Sequence, residues 1–227
     1  MKNNSMIAIS LLTTSIIVGA AGVAMAEPTD SLSKGSMPAV KSALEIGISG
    51  GYSQGVGDIG AGMGSVEDLA GAGGGGEVQI GYRINPNFSV SAYGSLSGYS
   101  AGDALNESAN DIVATTAGLK SDFHFMPTSS VDPWVSLGGG VRWLMIDENN
   151  TSERTLLGLD LVRLQAGVDY RVTPTLSIGP VISATATTYI REDNKMTDGY
   201  EDINDDRDVN FNFSAGLMGR FDAFASH

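Results

Sequence analysis

Apolar and polar residues alternate with a period of two along most of the chain, beginning at Leu44. This period is typical of β-strands, in which successive side chains point to opposite faces. Eight such stretches follow one another, over residues 44–54, 76–84, 88–99, 112–125, 133–146, 159–171, 176–190 and 209–221. The pattern therefore predicts an all-β protein of eight strands.

The connections between these strands alternate between short and long. The short ones contain proline, which ends a strand, and cover 85–87, 126–132 and 173–175. The long ones cover 55–75, 100–111, 147–158 and 191–208. An even strand number with tight turns at one end and long loops at the other is typical of outer-membrane barrels.

The two faces of the predicted strands differ in charge. One face is apolar or small and carries no charged residue, as in Val162, Leu164 and Ala166. The other face is rich in Gly, Ser, Thr and Asn and carries ten charges: Glu45, Glu77, Arg83, Lys120, Asp122, Arg142, Arg163, Asp169, Arg171 and Arg220. Such a face cannot form the apolar core of a soluble barrel, whereas a membrane barrel requires an uncharged outer face and permits a polar lumen. We therefore predict an antiparallel up-and-down transmembrane β-barrel.

Aromatic residues cluster near the two ends of the predicted strands, as expected for girdles at two membrane interfaces. Seven lie next to the short turns or the C-terminal end: Tyr82, Phe88, Phe123, Phe125, Trp134, Tyr170 and Phe221. Five lie next to the long loops: Tyr52, Tyr99, Trp143, Tyr189 and Phe211. Of these twelve, Trp134, Tyr99 and Tyr189 lie on the polar face by sequence parity.

The N-terminus indicates export. A basic start, an apolar run over residues 6–18 and the small-residue site Ala24-Met25-Ala26 predict a signal peptide over 1–26. A transmembrane helix, the alternative reading, needs about 20 apolar residues. We expect a polar N-terminal arm over 27–43, the barrel over 44–221 and a C-terminal tail over 222–227, and we expect the exported chain to reside in the outer membrane.

Composition excludes several function classes. The formal charge of -13 argues against nucleic acid as a partner, which would require clustered Lys and Arg. The chain has no cysteine, which excludes disulfides, iron–sulfur clusters and thiol catalysis. Charged residues make up 17% of the chain, which is low for a soluble surface.

With these features the chain resembles the small eight-stranded outer-membrane β-barrel family of the OmpA/OmpX type. The resemblance covers 44–221 and lies in pattern rather than in a diagnostic motif. In that family the last strand carries an assembly signal, which Ser214, Gly216 and Phe221 match and Gly219 does not. The resemblance implies contact with outer-membrane lipids, lipopolysaccharide and the assembly machinery, and we expect a monomer.

Two groups of charged residues are candidate sites. The lumen charges near the short turns predict a plug in which acids and bases neutralise one another through hydrogen bonds. Within this plug, Glu45 and Arg220 are expected to pair where the first and last strands meet. The alternative is that each charged side chain reaches solvent separately. The plug residues are Glu45, Arg83, Lys120, Asp122, Asp169, Arg171 and Arg220. In the acidic fourth loop, Asp202, Asp205 and Asp206 are weak candidates for a divalent cation, and a solvated loop is the alternative.

Two other motifs do not support chemistry. The glycine run Gly71–Gly76 lacks the Gly-Lys-Ser/Thr of a phosphate loop and is interpreted as part of an outer loop. A Ser-His-Asp arrangement would depend on His124, since the other histidine, His227, is terminal. We therefore predict neither an enzyme nor a cofactor.

The lumen of an eight-stranded barrel is filled by side chains, which argues against free diffusion of nutrients. The sequence favours a structural, adhesion or surface-binding role through four long outer loops. A narrow or gated channel is the alternative, favoured by small lumen residues such as Gly47, Ser49 and Gly216. A lipid-modifying enzyme is the third and least supported class.

Overall fold

The computed structural model describes residues 39–59, 64–102, 109–148, 152–194, 199–202 and 208–226. The described elements are β1 (Ser42–Val56), α1 (Val66–Leu69), β2 (Ala70–Asn85), β3 (Phe88–Ala101), β4 (Ala109–His124), β5 (Val131–Glu148), β6 (Ser152–Arg171), β7 (Leu176–Asn194), β8 (Gly199–Asp202) and β9 (Val209–Ser226). The predicted signal peptide lies outside the described residues, as does most of the predicted N-terminal arm.

Eight of the strands close into an antiparallel barrel. Each of β1 to β6 pairs with the next, β6 pairs with β7, β7 pairs with β9, and β9 returns to β1. The short strand β8 is not part of the closed ring, because it pairs only with the end of β7, where Asn194 faces Gly199. The predicted eight-stranded barrel is thus confirmed.

The strands extend further into the predicted long loops than periodicity indicated. The third connection, predicted over 147–158, is mostly strand, since β5 ends at Glu148 and β6 begins at Ser152. The segment predicted as a C-terminal tail belongs to β9 as far as Ser226. Backbone hydrogen bonds to a neighbouring strand continue beyond the point where side-chain alternation stops.

The interpretation of Gly71–Gly76 as part of an outer loop is wrong, because these residues lie within β2. At Gly75 the reason for glycine is close approach. A Cβ there would lie 2.2 Å from Ser97 Oγ and 2.6 Å from the Leu96 carbonyl oxygen of β3. Glycine weakens a strand, but it permits the neighbouring backbone to approach closely.

The apolar face of the barrel points outward, as predicted. Large apolar side chains remain well exposed around the whole outer wall, including Ile48, Val78, Ile80, Leu96, Leu119, Leu137, Leu164, Ile182 and Leu217. Nearly all the charges of the opposite face are buried inside the barrel. This distribution is the reverse of that in a soluble protein, where an exposed apolar surface of such extent is rare.

One β-bulge changes the phase of β6. On the β5 side, Asp160 faces Gly140 and Arg163 faces Gly138, so two residues of β6 lie opposite Gly139 alone. Leu161 and Val162 both point outward in consequence. A bulge adds one residue to a strand and thereby reverses the faces that follow. Asp160, which sequence parity places on the apolar face, therefore points into the lumen and is buried.

The barrel interior is apolar at the long-loop end. Ile59 and the helix α1, with Val66 and Leu69, pack against inward residues of β4 to β7, namely Ile112, Ala114, Leu144, Ile146, Leu156 and Tyr189. We call this group the apolar cap. The helix is fixed by a capping box, in which Asp68 donates its backbone N–H to Ser65 Oγ at 3.2 Å. In the part of the chain that the structure describes, no helix has the length and apolar character needed to cross a membrane.

Candidate functional site: the charged lumen

A charged group centred on Arg220 fills the barrel near its short-turn end. The Arg220 guanidinium lies 3.3 Å from Asp122, 3.6 Å from Glu45 and 3.8 Å from Asp169, measured between nitrogen and carboxylate oxygen. Its central carbon lies 3.9 Å from the centre of the Trp134 ring, a cation–π distance. The guanidinium of one arginine thus lies close to three buried carboxylates.

The structure places six of the seven predicted plug residues in this group or beside it. Glu45 faces the last strand, as expected, but its shortest contact is with Arg83 at 2.6 Å on the neighbouring strand β2, and Arg220 is further away. The Arg171 guanidinium lies 3.8 Å from Asp132. These charges are held against one another inside the barrel, and both members of the Glu45–Arg83 pair are almost fully buried.

The seventh predicted residue, Lys120, belongs to a separate group at mid-height. Its ammonium donates to Glu77 at 3.0 Å and to Gln165 at 2.7 Å. Arg163 donates to the other oxygen of Glu77 at 2.5 Å, and its guanidinium lies over the ring of Tyr93 at 4.7 Å. Glu77 therefore bridges two cations from different strands.

A third group lies nearer the long loops. Arg142 donates to Asp160 at 3.1 Å, and Thr187 donates to the same carboxylate at 2.6 Å. The bulge in β6 brings Asp160 to this position. Sequence parity alone did not find this ion pair, because it placed Asp160 on the opposite face.

His124 is a buried member of the short-turn group that lies outside the predicted set. Its Nδ1 lies 2.9 Å from the carboxylate of Asp132, and its Nε2 lies 3.0 Å from Nη1 of Arg220. Asp132 is itself fixed, since its other oxygen accepts the backbone N–H of Met126 at 2.9 Å. Both ring nitrogens are thus engaged by charged side chains, and neither contacts a serine.

Three aromatic residues predicted for the girdles lie inside instead. Trp134 is buried in the lumen and donates its indole N–H to Asp169 at 3.0 Å. Tyr189 belongs to the apolar cap, and Tyr99 packs against that cap from below. They point inward because all three occupy positions of their strands whose side chains face the polar lumen. The other girdle positions include well-exposed rings, such as Tyr52 and Phe211 at one end and Tyr82 and Phe125 at the other.

A polar cavity of about 60 Å³ lies between the charged groups and the apolar cap. Hydroxyls and amides line one side, including Ser49, Ser95 and Asn212, and Arg142 and Arg163 line the other. About 10–15 Å³ suffices for one water molecule, so this cavity has room for several. Three of the lining residues, Ser53, Tyr99 and Asn212, are joined by hydrogen bonds of 3.0 to 3.2 Å.

The candidate cation site lies mostly outside the described residues, so it stays a prediction. Asp202 ends β8, while Asp205 and Asp206 lie outside the described residues. Among the residues that are described, no cluster of His, Cys, Asp and Glu has the geometry to hold a metal ion.

The chain is similar in fold to solved membrane barrels. No protein-family model and no curated protein matches the sequence. Neisserial surface protein A (NspA) is 16% identical with a TM-score of 0.54, over 80% of this chain and 98% of that one. Outer membrane protein OprG from Pseudomonas aeruginosa is 12% identical with a TM-score of 0.48, over 81% and 99%. Ail of Yersinia pestis is 14% identical with a TM-score of 0.43, over 79% and 99%. The barrel fold expected from the family resemblance is confirmed.

Proposed function

We propose that this protein is an integral outer-membrane barrel whose lumen is closed, and that it acts through the surface it presents at the long-loop end. The observation that carries the proposal is the pairing of an uncharged, exposed apolar wall with a lumen that holds the charges. Only a bilayer surrounds such a wall with apolar groups and keeps it out of water. The predicted signal peptide supports export to that membrane.

Three features of the lumen support a structural, adhesion or surface-binding role over diffusion of solutes. Charged groups cross the interior at the short-turn end and again at mid-height. The apolar cap fills the opposite end. A solute would have to break several buried ion pairs to pass, and separating one such pair costs several kcal/mol. The chain therefore behaves as a rigid support for its outer surface.

A narrow or gated channel is the second candidate, favoured by one observation. The cavity of about 60 Å³ is polar and lies directly above the charged groups. Displacement of Ile59 and α1 would join this cavity to the exterior, and rearrangement of the Arg220 group would have to open the other end.

We propose that outer-membrane lipids and lipopolysaccharide surround a monomeric barrel, and that the outer-membrane assembly machinery inserts it. A catalytic role is disfavoured because both nitrogens of His124 contact charged partners rather than a serine hydroxyl. Acyl transfer by such a histidine would require a free nitrogen to accept a proton from the nucleophile.

Two measurements on purified protein test this proposal. An unheated sample should migrate faster on a denaturing gel than a boiled one, because a closed barrel resists detergent. In planar bilayers at neutral pH the folded protein should give no conductance above that of the boiled control. Solubility without detergent would contradict the membrane assignment, and stable unitary conductance would favour the channel.

A further inference from the structure

We propose that His124 is a proton-sensitive switch on Arg220: the neutral imidazole holds the guanidinium at the centre of the short-turn group, and protonation releases it. This goes beyond the proposed role of the barrel, because it assigns a response to acid. The inference depends on contacts inside the barrel, so it stands or fails separately from any function of the outer loops.

The geometry fixes which nitrogen of His124 carries the hydrogen. Arginine has N–H donors and no acceptor, so the 3.0 Å contact from Arg220 Nη1 requires an unprotonated Nε2. A neutral imidazole then carries its hydrogen on Nδ1, which donates to the carboxylate of Asp132 at 2.9 Å. Asp132 therefore selects the tautomer that accepts from Arg220.

A second proton on His124 would destroy this arrangement. Protonation of Nε2 places two N–H donors, both on cationic groups, against each other at about 3.0 Å. The Asp132 contact survives, because Nδ1 donates in both states. Histidine is the side chain that ordinarily changes charge between about pH 5 and pH 8. Arg220 is therefore the group that must move.

Charged groups from six strands face this pair. They are Glu45 of β1, Arg83 of β2, Asp122 of β4, Asp132 of β5, Asp169 and Arg171 of β6, and Asp222 of β9. A displaced guanidinium has three carboxylates within 3.8 Å to which it can shift, those of Glu45, Asp122 and Asp169. The Arg220 guanidinium can therefore leave His124 and still remain inside the barrel.

Protons have a route to His124 from the short-turn end. A small cavity of about 10 Å³ is lined by His124, Asp132 and Arg171 together with the turn residues Thr173, Pro174 and Thr175. The turn places this cavity at the edge of the barrel. Its volume suits a single water molecule, which suffices to carry a proton.

Trp134 reports directly on the position of Arg220. The guanidinium lies over its ring at 3.9 Å, and the indole N–H donates to Asp169, one of the carboxylates to which Arg220 can shift. The chain has two tryptophans, so Trp143→Phe leaves Trp134 as the sole emitter. We expect the emission of this variant, folded in lipid vesicles, to shift in one transition when the sample is titrated with acid.

The matched control is His124→Gln in the same background. A glutamine amide offers Arg220 an oxygen acceptor and Asp132 an N–H donor, and it does not titrate. Its emission should stay constant over the same pH range while the nearby carboxylates remain unchanged. An equal transition in the control, or no transition in either protein, would overturn the proposal.

A second measurement needs no substitution at the site. The chain has two histidines, so ¹⁵N-histidine labelling gives two ring systems, with the terminal His227 as internal reference. At about pH 8 the His124 signals should show a protonated Nδ1 and an unprotonated Nε2, and the second proton should appear as the Trp134 emission shifts. A protonated Nε2 at about pH 8 would overturn the proposal.

Discussion

Replacing Arg220 with Gln will lower the free energy of unfolding by about 3–5 kcal/mol, the range found when one partner of a buried ion pair is removed. The change leaves Glu45, Asp122 and Asp169 buried without their shared counter-charge. It also removes the cation from the Trp134 ring. Urea unfolding in lipid vesicles, followed by tryptophan emission and by gel mobility, measures the loss.

The control for this prediction is Arg154→Gln. Arg154 pairs with Glu192 near the long-loop end, where both side chains remain partly exposed. An exposed ion pair contributes about 0–1 kcal/mol, so the control should unfold nearly like the unaltered protein. Equal costs for the two variants would show that the Arg220 group is hydrated rather than a buried plug.

Replacing Leu164 with Arg will cost about 2–4 kcal/mol, the penalty for a basic residue on the lipid face near the bilayer midplane. Leu164 lies at mid-height on β6 and is 53% exposed. In a soluble protein an arginine at such an exposed position would cost almost nothing, since surface substitutions usually change stability by less than 0.5 kcal/mol. A wall that faces lipid therefore predicts a large loss of stability, whereas a wall that faces water predicts almost none.

Val172→Arg is the matched control. Val172 lies on the same side of the barrel, just beyond β6 at the short-turn end, and is 60% exposed. The cost of a basic residue falls to about 0–1 kcal/mol near the interface. A penalty at Leu164 in lipid vesicles that is no greater than the penalty at Val172 would contradict the assignment of this wall to lipid.

The faces of the strands could be predicted from sequence because a two-residue period has only two phases. Two or three charges of the same parity within one strand choose between them, as Arg163, Asp169 and Arg171 do in β6, and the phase then places neighbours such as Leu164. The same rule placed Trp134, Tyr99 and Tyr189 on the polar side. Their burial in the lumen follows from parity, whereas their position near strand ends had suggested a girdle.

The assignment of faces from the two-residue period failed where the backbone departs from regular strand pairing. The bulge at Leu161 adds one residue to β6, which the two-residue period does not allow for. Asp160 was therefore missed as a lumen residue, although a lone acid on an otherwise apolar face was the available signal. Gly75 was missed as strand because glycine has low strand propensity, whereas close approach of β3 favours it there.

The choice of partners within the lumen depends on cross-strand distances that sequence does not supply. The meeting of the first and last strands suggested Glu45 and Arg220 as a pair. In the barrel Glu45 also faces β2, and the guanidinium of Arg83 on that strand lies 2.6 Å from its carboxylate. The apolar cap was missed for a related reason, since Ile59 and α1 come from a connection that has no periodicity.

Nitroxide scanning along β6 tests the membrane-spanning barrel most directly. The chain has no cysteine, so single substitutions at positions 160–164 give uniquely labelled proteins in lipid vesicles. We predict that labels on Leu161→Cys, Val162→Cys and Leu164→Cys collide with oxygen dissolved in the bilayer and not with a water-soluble nickel chelate. Labels on Asp160→Cys and Arg163→Cys should be shielded from oxygen. Access of the chelate to Leu164→Cys equal to that at an aqueous site would contradict the account.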